Sequence, residues 1–232
     1  MTPKPWSHSA LETHDTCPEQ YHHKYVLKDL PPEEKSAEQD WGLFVHQQFE
    51  WFLTRPGFEM PPDLQVHLPY LTKLSERGET YPNEIYAERK VALSRVPLAP
   101  CGYFDKNVWW RGVLDCTIIE KEDSRARISD WKTGKPHTKW DQLAISAIWT
   151  FLAYPKIQLV QAEYYWVQTQ QVTKKVWSRG EMDALFAMLT PKLQAYVHSY
   201  KTDTWPMKQS GLCRGWCPVT TCQFWEPKRD KR

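Results

Sequence analysis

Two aspartates and a lysine in the middle of the chain have the types and the spacing that phosphodiester hydrolysis needs. In Ile128-Ser129-Asp130-Trp131-Lys132-Thr133-Gly134-Lys135 an extended strand repeats its side-chain direction every second residue, so Asp130 and Lys132 project from one face. The stretch Gly112-Val113-Leu114-Asp115 lies on a preceding strand that can pair with this one across a turn at 120–124, and Asp115 then reaches the same patch. Such carboxylates hold Mg²⁺ or Mn²⁺, the ion lowers the pKa of a bound water, and a lysine orients that water or steadies negative charge developing on the phosphate. An isolated Asp-x-Lys is most often a solvated ion pair, so the surroundings decide.

A second group is sulfur. Cys213, Cys217 and Cys222 put three thiols into ten residues, with three and then four residues between them. Thiolates are soft ligands that suit both iron–sulfur clusters and zinc. Zinc sites usually carry a Cys-x₂-Cys pair, which is absent here, and three thiols leave a tetrahedral site one ligand short. A fourth ligand has to come from elsewhere. Cys101 and Cys116 fall outside the pattern, and Cys116 takes the strand face opposite Asp115, so burial accounts for it.

These residues must be positioned by surrounding elements. Ser9 with Glu12 makes a capping-box pattern, and a second helix start follows at Thr16-Cys17-Pro18, with Tyr21 and Tyr25 on one face. After a solvated break at 31–35, Trp41, Phe44, Val45, Phe49 and Phe52 predict a helix from about Ala37 to Thr54. Residues 55–80 carry four Pro and read as a loop with a short helix. Tyr86–Leu93, Trp109–Ile119 and Arg125–Trp131 are rich in β-branched and aromatic residues and read as an antiparallel meander. A helix at Asp141–Tyr154, a strand at Ala162–Val167 and a helix at Arg179–Tyr200, with Pro191 expected to kink it, complete the order. The fold class is therefore α/β, a small mixed sheet flanked by helices. The expected organisation is one domain over 1–232, with a helical part at 1–80, a catalytic core at 81–200 and a cysteine-rich segment with a basic tail at 201–232.

The composition is that of an ordinary globular protein, 41% hydrophobic and 25% charged, apart from thirteen Trp and eighteen Pro. This excludes extensive disorder. A net charge of +2 means that any affinity for nucleic acid has to come from a local basic surface. The first residues lack a signal-peptide stretch and no segment approaches a membrane span, so a cytoplasmic protein with no membrane partner is expected. Six cysteines in that compartment argue against a disulfide framework. Lys132, Lys135, Lys139 and the tail Lys228, Arg229, Lys231 and Arg232 could meet phosphates, and Trp131, Trp140 and Trp216 could stack on unpaired bases.

In order and spacing, Gly112-x-x-Asp115 followed by Asp130-Trp131-Lys132-Thr133-Gly134 resembles the core signature of RecB-like PD-(D/E)XK nucleases. Upstream, Gly42-Leu43-Phe44-Val45-His46 resembles the family's Gly-x-x-x-His helix, and Glu88 resembles the acidic residue of its first strand. Downstream, Asp141-Gln142-Leu143 resembles the start of its Gln-x-x-x-Tyr helix, with Ser146 where the tyrosine is expected. The resemblance implies a metal site of His46, Asp115 and Asp130, with Glu88 as a further candidate, and a catalytic set of Asp115, Asp130, Lys132 and Gln142. Cys17 resembles the early cysteine of the iron–sulfur subgroup, which includes AddB-type, CRISPR-associated and phage exonuclease relatives. That implies a [4Fe-4S] cluster on Cys17, Cys213, Cys217 and Cys222, with zinc the alternative, joining the two ends of the chain. The implied function is a Mg²⁺- or Mn²⁺-dependent exonuclease acting on DNA, with single-stranded ends, in phage or bacterial recombination, repair or replication. The alternative is a catalytically silent DNA-binding or scaffold module serving a recombinase or helicase.

Overall fold

The computed structural model describes residues 1–32 and 35–227. It divides into two compact units, Lys35–Met188 and the pair of end segments Met1–Glu34 and Leu189–Arg232. Part of the 31–35 break, Glu33 and Glu34, and the basic tail residues 228–232 lie outside the described residues.

The central unit is built on six strands, β1 (Glu84–Ser94), β2 (Ala99–Pro100), β3 (Val108–Glu120), β4 (Arg125–Lys132), β5 (Leu159–Trp166) and β6 (Gln171–Ser178), in the spatial order β2-β1-β3-β4-β5-β6. The expected meander is present, with β3 antiparallel to both β1 and β4. β5 runs parallel to β4, and a parallel neighbour requires a crossover. Helix α5 (Asp141–Ala153) supplies it. Its residues from Leu143 to Phe151 are all buried, as befits a helix enclosed on every side. β6 is an addition to the sequence reading. Its pattern is mostly exposed, since an edge strand carrying Lys174 and Lys175 has no apolar alternation to betray it.

Helix α3 (Ala37–Thr54) has the bounds read from its apolar spacing. Ser36 and Gln39 close a capping box at its start. The stretch 55–80 holds more helix than expected, a 3₁₀ segment Pro62–His67 and then α4 (Leu68–Glu79). Val45, Phe49 and Leu71 pack with Cys116, Ile118, Trp131 and Tyr165 in one core. Trp131 is thus a core residue, 1% exposed, and does not offer a face to bases. The alternation that aims Asp130 and Lys132 one way sends Trp131 the other, under α3.

The second unit contains α1 (His8–Thr16), α2 (Pro18–Tyr21) and a π-helical turn His22–Leu27. α1 is capped by Ser7, whose hydroxyl accepts from the Ala10 amide at 3.2 Å. The expected Ser9–Glu12 box does not form, because Glu12 is paired with Lys192. The unit boundary falls within α6 (Met182–Thr202), which contains Pro191. In this unit the Tyr21 hydroxyl meets those of Tyr196 and Tyr200 at 3.0 Å each, and Trp205 stacks on Tyr21 and His22. Among the described residues no helix is long and apolar enough to cross a membrane.

Candidate active site and thiol cluster

The central site begins with a break in a ladder. Between the pairs Ala87↔Cys116 and Arg89↔Leu114, Glu88 and Asp115 stand opposite each other without pairing. Glu88 has a φ of 46°, a left-handed conformation that costs a non-glycine residue of order 1–3 kcal/mol and persists where the surroundings enforce it. Two carboxylates facing across strands also repel. Both costs are met by what faces them. The His46 Nδ1 lies 3.0 Å from Glu88 Oε1 and 3.6 Å from Asp115 Oδ2.

His46 is brought there by the close approach of α3 to the end of β4. A Cβ at Gly42 would meet Thr133 Oγ1 at 3.2 Å, and one turn later His46 Nε2 donates to the Trp131 carbonyl at 2.9 Å. That hydrogen bond fixes the ring and leaves Nδ1 as the nitrogen facing the carboxylates, the arrangement that metal-binding histidines use. Ligand atoms of His46, Glu88 and Asp115 all lie within 4.8 Å of one another. This donor set, two carboxylates and an imidazole, suits a divalent cation such as Mg²⁺ or Mn²⁺.

Asp130 and Lys132 point together as expected, and Gln142, at the start of α5, closes a ring with them. Lys132 Nζ lies 2.6 Å from Asp130 Oδ2 and donates to Gln142 Oε1 at 2.8 Å, while Gln142 Nε2 donates to Asp130 Oδ1 at 2.5 Å. Asp115, for its part, accepts from the Trp131 amide at 2.7 Å. Asp130 stands outside the trio of donors, whereas Glu88 is inside it; Asp130 Oδ1 accepts from Gln142, and its Oδ2 is buried beside the Lys132 ammonium without a hydrogen-bond partner among the described residues. Ser146, at the position of the missing aromatic, is buried and donates back to the Gln142 carbonyl at 2.8 Å. The aromatic ring beside the lysine comes instead from β5, where Tyr164 lies 5.5 Å from Lys132 Nζ. Sequence reading missed this because Tyr164 sits on a strand and matches no motif.

The electrostatics follow from the burial. Desolvation, with Asp130 and Glu88 nearby, pushes the Asp115 carboxyl well above the ordinary carboxylate range. Burial also disfavours a charged His46 ring, but the hydrogen bond to Glu88 and the charges of Asp115 and Glu88 outweigh it and push His46 up to about 9. The sign of both shifts is the same for stability. A raised His46 contributes stability that is complete below 6.5 and is lost as pH climbs through about 9, and a raised Asp115 costs stability as it ionises. The melting temperature of the metal-free protein should therefore fall between pH 6.5 and 9, and Mn²⁺ should reverse the fall, because binding displaces the same protons. A flat profile in calorimetry, with and without Mn²⁺, would count against this trio as a metal site.

In the other unit, Cys17, Cys213, Cys217 and Cys222 line one cavity with Gln20 and Val219. Burial raises the Cys217 thiol, and the other three thiols push it the same way. Cys17 sits between α1 and α2, and Pro18 opens α2. Cys213 ends a 3₁₀ turn whose Ser210 amide donates to its sulfur at 3.4 Å. Cys116 is buried in the central core and Cys101 is a free thiol elsewhere. The four thiols singled out in the sequence are thus brought together, and the other two are not. Their chemistry fits a thiolate-bound metal centre.

The family model of the PD-(D/E)XK nuclease superfamily matches residues 5–222. The chain belongs to that superfamily, whose members are metal-dependent nucleases, and the six-stranded mixed sheet with its flanking helices agrees with it. No curated protein matches the chain. Among solved structures, the one titled "Crystal structure of SSO0001" is similar at 10% identity with a TM-score of 0.41, over 94% of this chain and 85% of that one.

Proposed function

We propose that the protein is a Mg²⁺- or Mn²⁺-dependent exonuclease that hydrolyses DNA from its ends, in recombination, repair or replication. The observation that carries this reading is the donor trio of His46, Glu88 and Asp115 within 4.8 Å, beside the Asp130–Lys132–Gln142 ring, in a chain of this superfamily. His46, Glu88 and Asp115 would hold the ion, and Asp130, whose charge is felt by Asp115, is assigned to the same ion. When bound, the ion would supply charge stabilisation at the phosphate and acidify a water.

Lys132 has three N–H donors, of which Gln142 accepts one at 2.8 Å, and its ammonium lies 2.6 Å from Asp130 Oδ2 as an ion pair. A further donor would serve the attacking water or a phosphate oxygen, steadied because Gln142 and Asp130 hold the ammonium in place. Gln142 acts by position, since it ties both Asp130 and Lys132 to the start of α5. Lys132→Ala should lower turnover by about a hundredfold or more while DNA binding stays within a few-fold, because one contact among several adds little affinity. Equal loss of binding and rate would argue against the role.

The same proposal assigns Cys17, Cys213, Cys217 and Cys222 to a [4Fe-4S] cluster of structural purpose, with zinc as the alternative that metal analysis would reveal. The deciding experiment for the activity compares end-labelled linear single- and double-stranded DNA with circular DNA, in Mg²⁺, Mn²⁺ and EDTA. Metal-dependent release of label from linear ends with circles intact is the expected result. Cutting of circles would overturn the exonuclease assignment. No cutting at all would favour a silent module that serves a recombinase or helicase.

A further inference from the structure

The face of the sheet that carries Asp130 and Lys132 continues across two more strands. Asp130 is in register with Tyr164 and Lys132 with Trp166 on β5, and Tyr164 and Ala162 are in turn in register with Thr173 and Lys175 on β6. Side chains at these positions share a face. Tyr164 is buried beneath Lys132 and supports Trp140, whose ring lies 5.6 Å away. Trp140 is half-buried and ends the loop 133–140, which is exposed from Gly134 to Lys139. Beyond it, the exposed ammonium of Lys175 lies 6.0 Å from the Trp140 ring and 5.4 Å from that of Trp177. A lysine and an indole therefore stand side by side at the far edge of the face that begins at the candidate active site.

From this arrangement we propose that Trp140 and Lys175 form a track for single-stranded DNA, along which a strand is led across β5 and β6 to the Asp130–Lys132 end of β4. A base would stack on Trp140 and a neighbouring phosphate would meet Lys175, the pairing of ring and cation by which sequence-tolerant single-strand binders work. Single strand is favoured over duplex because stacking needs a base face that a duplex hides. The opposite face of β6 offers a second set of cations, with Lys174, Lys73, Arg77 and Arg127 around one cavity. There, however, Arg77 and Arg127 are bound to Glu120 at 3.0 and 2.8 Å, and Glu163 adds another negative charge. Two of the four cations are thereby engaged, and the ring lining that cavity, Tyr70, is already stacked on Tyr165 with centroids 3.8 Å apart, so that face does not set an open ring beside its cations.

The inference rests on the proposed nuclease reading and is tested apart from it. Binding of a fluorescein-labelled oligodeoxythymidine is titrated with salt in metal-free buffer. Lys175→Gln should weaken binding several-fold and make the logarithmic salt slope shallower by about 0.7, the counterion yield of one single-strand phosphate contact. Lys175→Arg should restore the slope. Lys174→Gln removes the same charge one residue away on the opposite face and should change neither quantity. Trp140→Ala should weaken binding by about tenfold and Trp140→Phe much less. The track is wrong if Lys175→Gln keeps the wild-type slope, if Lys174→Gln loses as much, or if the wild-type protein does not bind the oligonucleotide. None of these readouts requires cleavage, so a protein that bound in this way but cut nothing would refute the nuclease reading alone.

Discussion

Replacing Asp115 by asparagine should abolish metal-dependent cleavage and at the same time make the metal-free protein more resistant to heat. The two effects have one cause. Asp115 is buried, faces Glu88 across the ladder gap and lies near Asp130, so its carboxyl is held well above its ordinary range and its ionised form is destabilised unless a cation is supplied. Asparagine keeps the shape and can still accept from the Trp131 amide, which Asp115 Oδ2 takes at 2.7 Å. What is lost is the charge. Cleavage in Mg²⁺ or Mn²⁺ should fall by more than about a hundredfold, while the melting temperature at pH 8 without metal should rise. Mn²⁺ should then no longer stabilise the variant. Asp130→Asn should match the loss of activity without the gain in stability, because the Asp130 carboxylate is already paired with Lys132 at 2.6 Å and its removal strands a partly buried ammonium. An Asp115→Asn protein that cut DNA at the wild-type rate would dismantle the site.

The contrast between the two aspartates shows where sequence reasoning succeeds and where it stops. Strand alternation was enough to put Asp130 beside Lys132 and to bring Asp115 across from its neighbour, since a period of two fixes side-chain direction whatever the rest of the fold does. The same rule turns Trp131, which lies between two residues that face the other way, into the core and excludes it as a base-stacking residue. Glu88 could be raised only as a candidate. Its place in the trio depends on a φ of 46° at one ladder gap, and no glycine or asparagine marks that position in the sequence. β6 was invisible for a different reason. Burial pattern is the signal that reveals a strand, and an edge strand that presents lysines on both faces has almost none. Lys175 and the track it implies follow from that strand, so they were beyond the reach of the motifs as well.

The thiol cluster gives the second large effect, and it begins from chain length. Cys17 and Cys222 are far apart in sequence, yet Cys17 lines the same cavity as Cys213, Cys217 and Cys222, which only the folded chain can bring about. If the four thiols hold one metal centre, its assembly and the folding of this unit are linked equilibria. Cys17→Ala leaves three ligands where an iron–sulfur cluster takes four, so iron and colour should be lost on purification. Loss of the cross-link should also release α1 and α2 from the segment 203–227. By analogy with other long-loop cross-links, the cost should be roughly 2–5 kcal/mol, seen as a lower melting temperature and as faster proteolysis of both end segments. Cleavage should decline only as the folded fraction declines, because none of the four thiols belongs to the His46–Glu88–Asp115 trio. Measured at a temperature where the variant is still folded, its rate per folded molecule should approach that of the wild type. Cys101→Ala and Cys116→Ala supply the comparison. Both should retain full metal content, and Cys116→Ala, buried at the centre of the other core, should lose stability through packing alone. Iron retained in Cys17→Ala and lost in Cys101→Ala or Cys116→Ala would show that the four ligands are wrongly assigned, and zinc in place of iron in the wild-type protein would leave the ligands standing and change the metal.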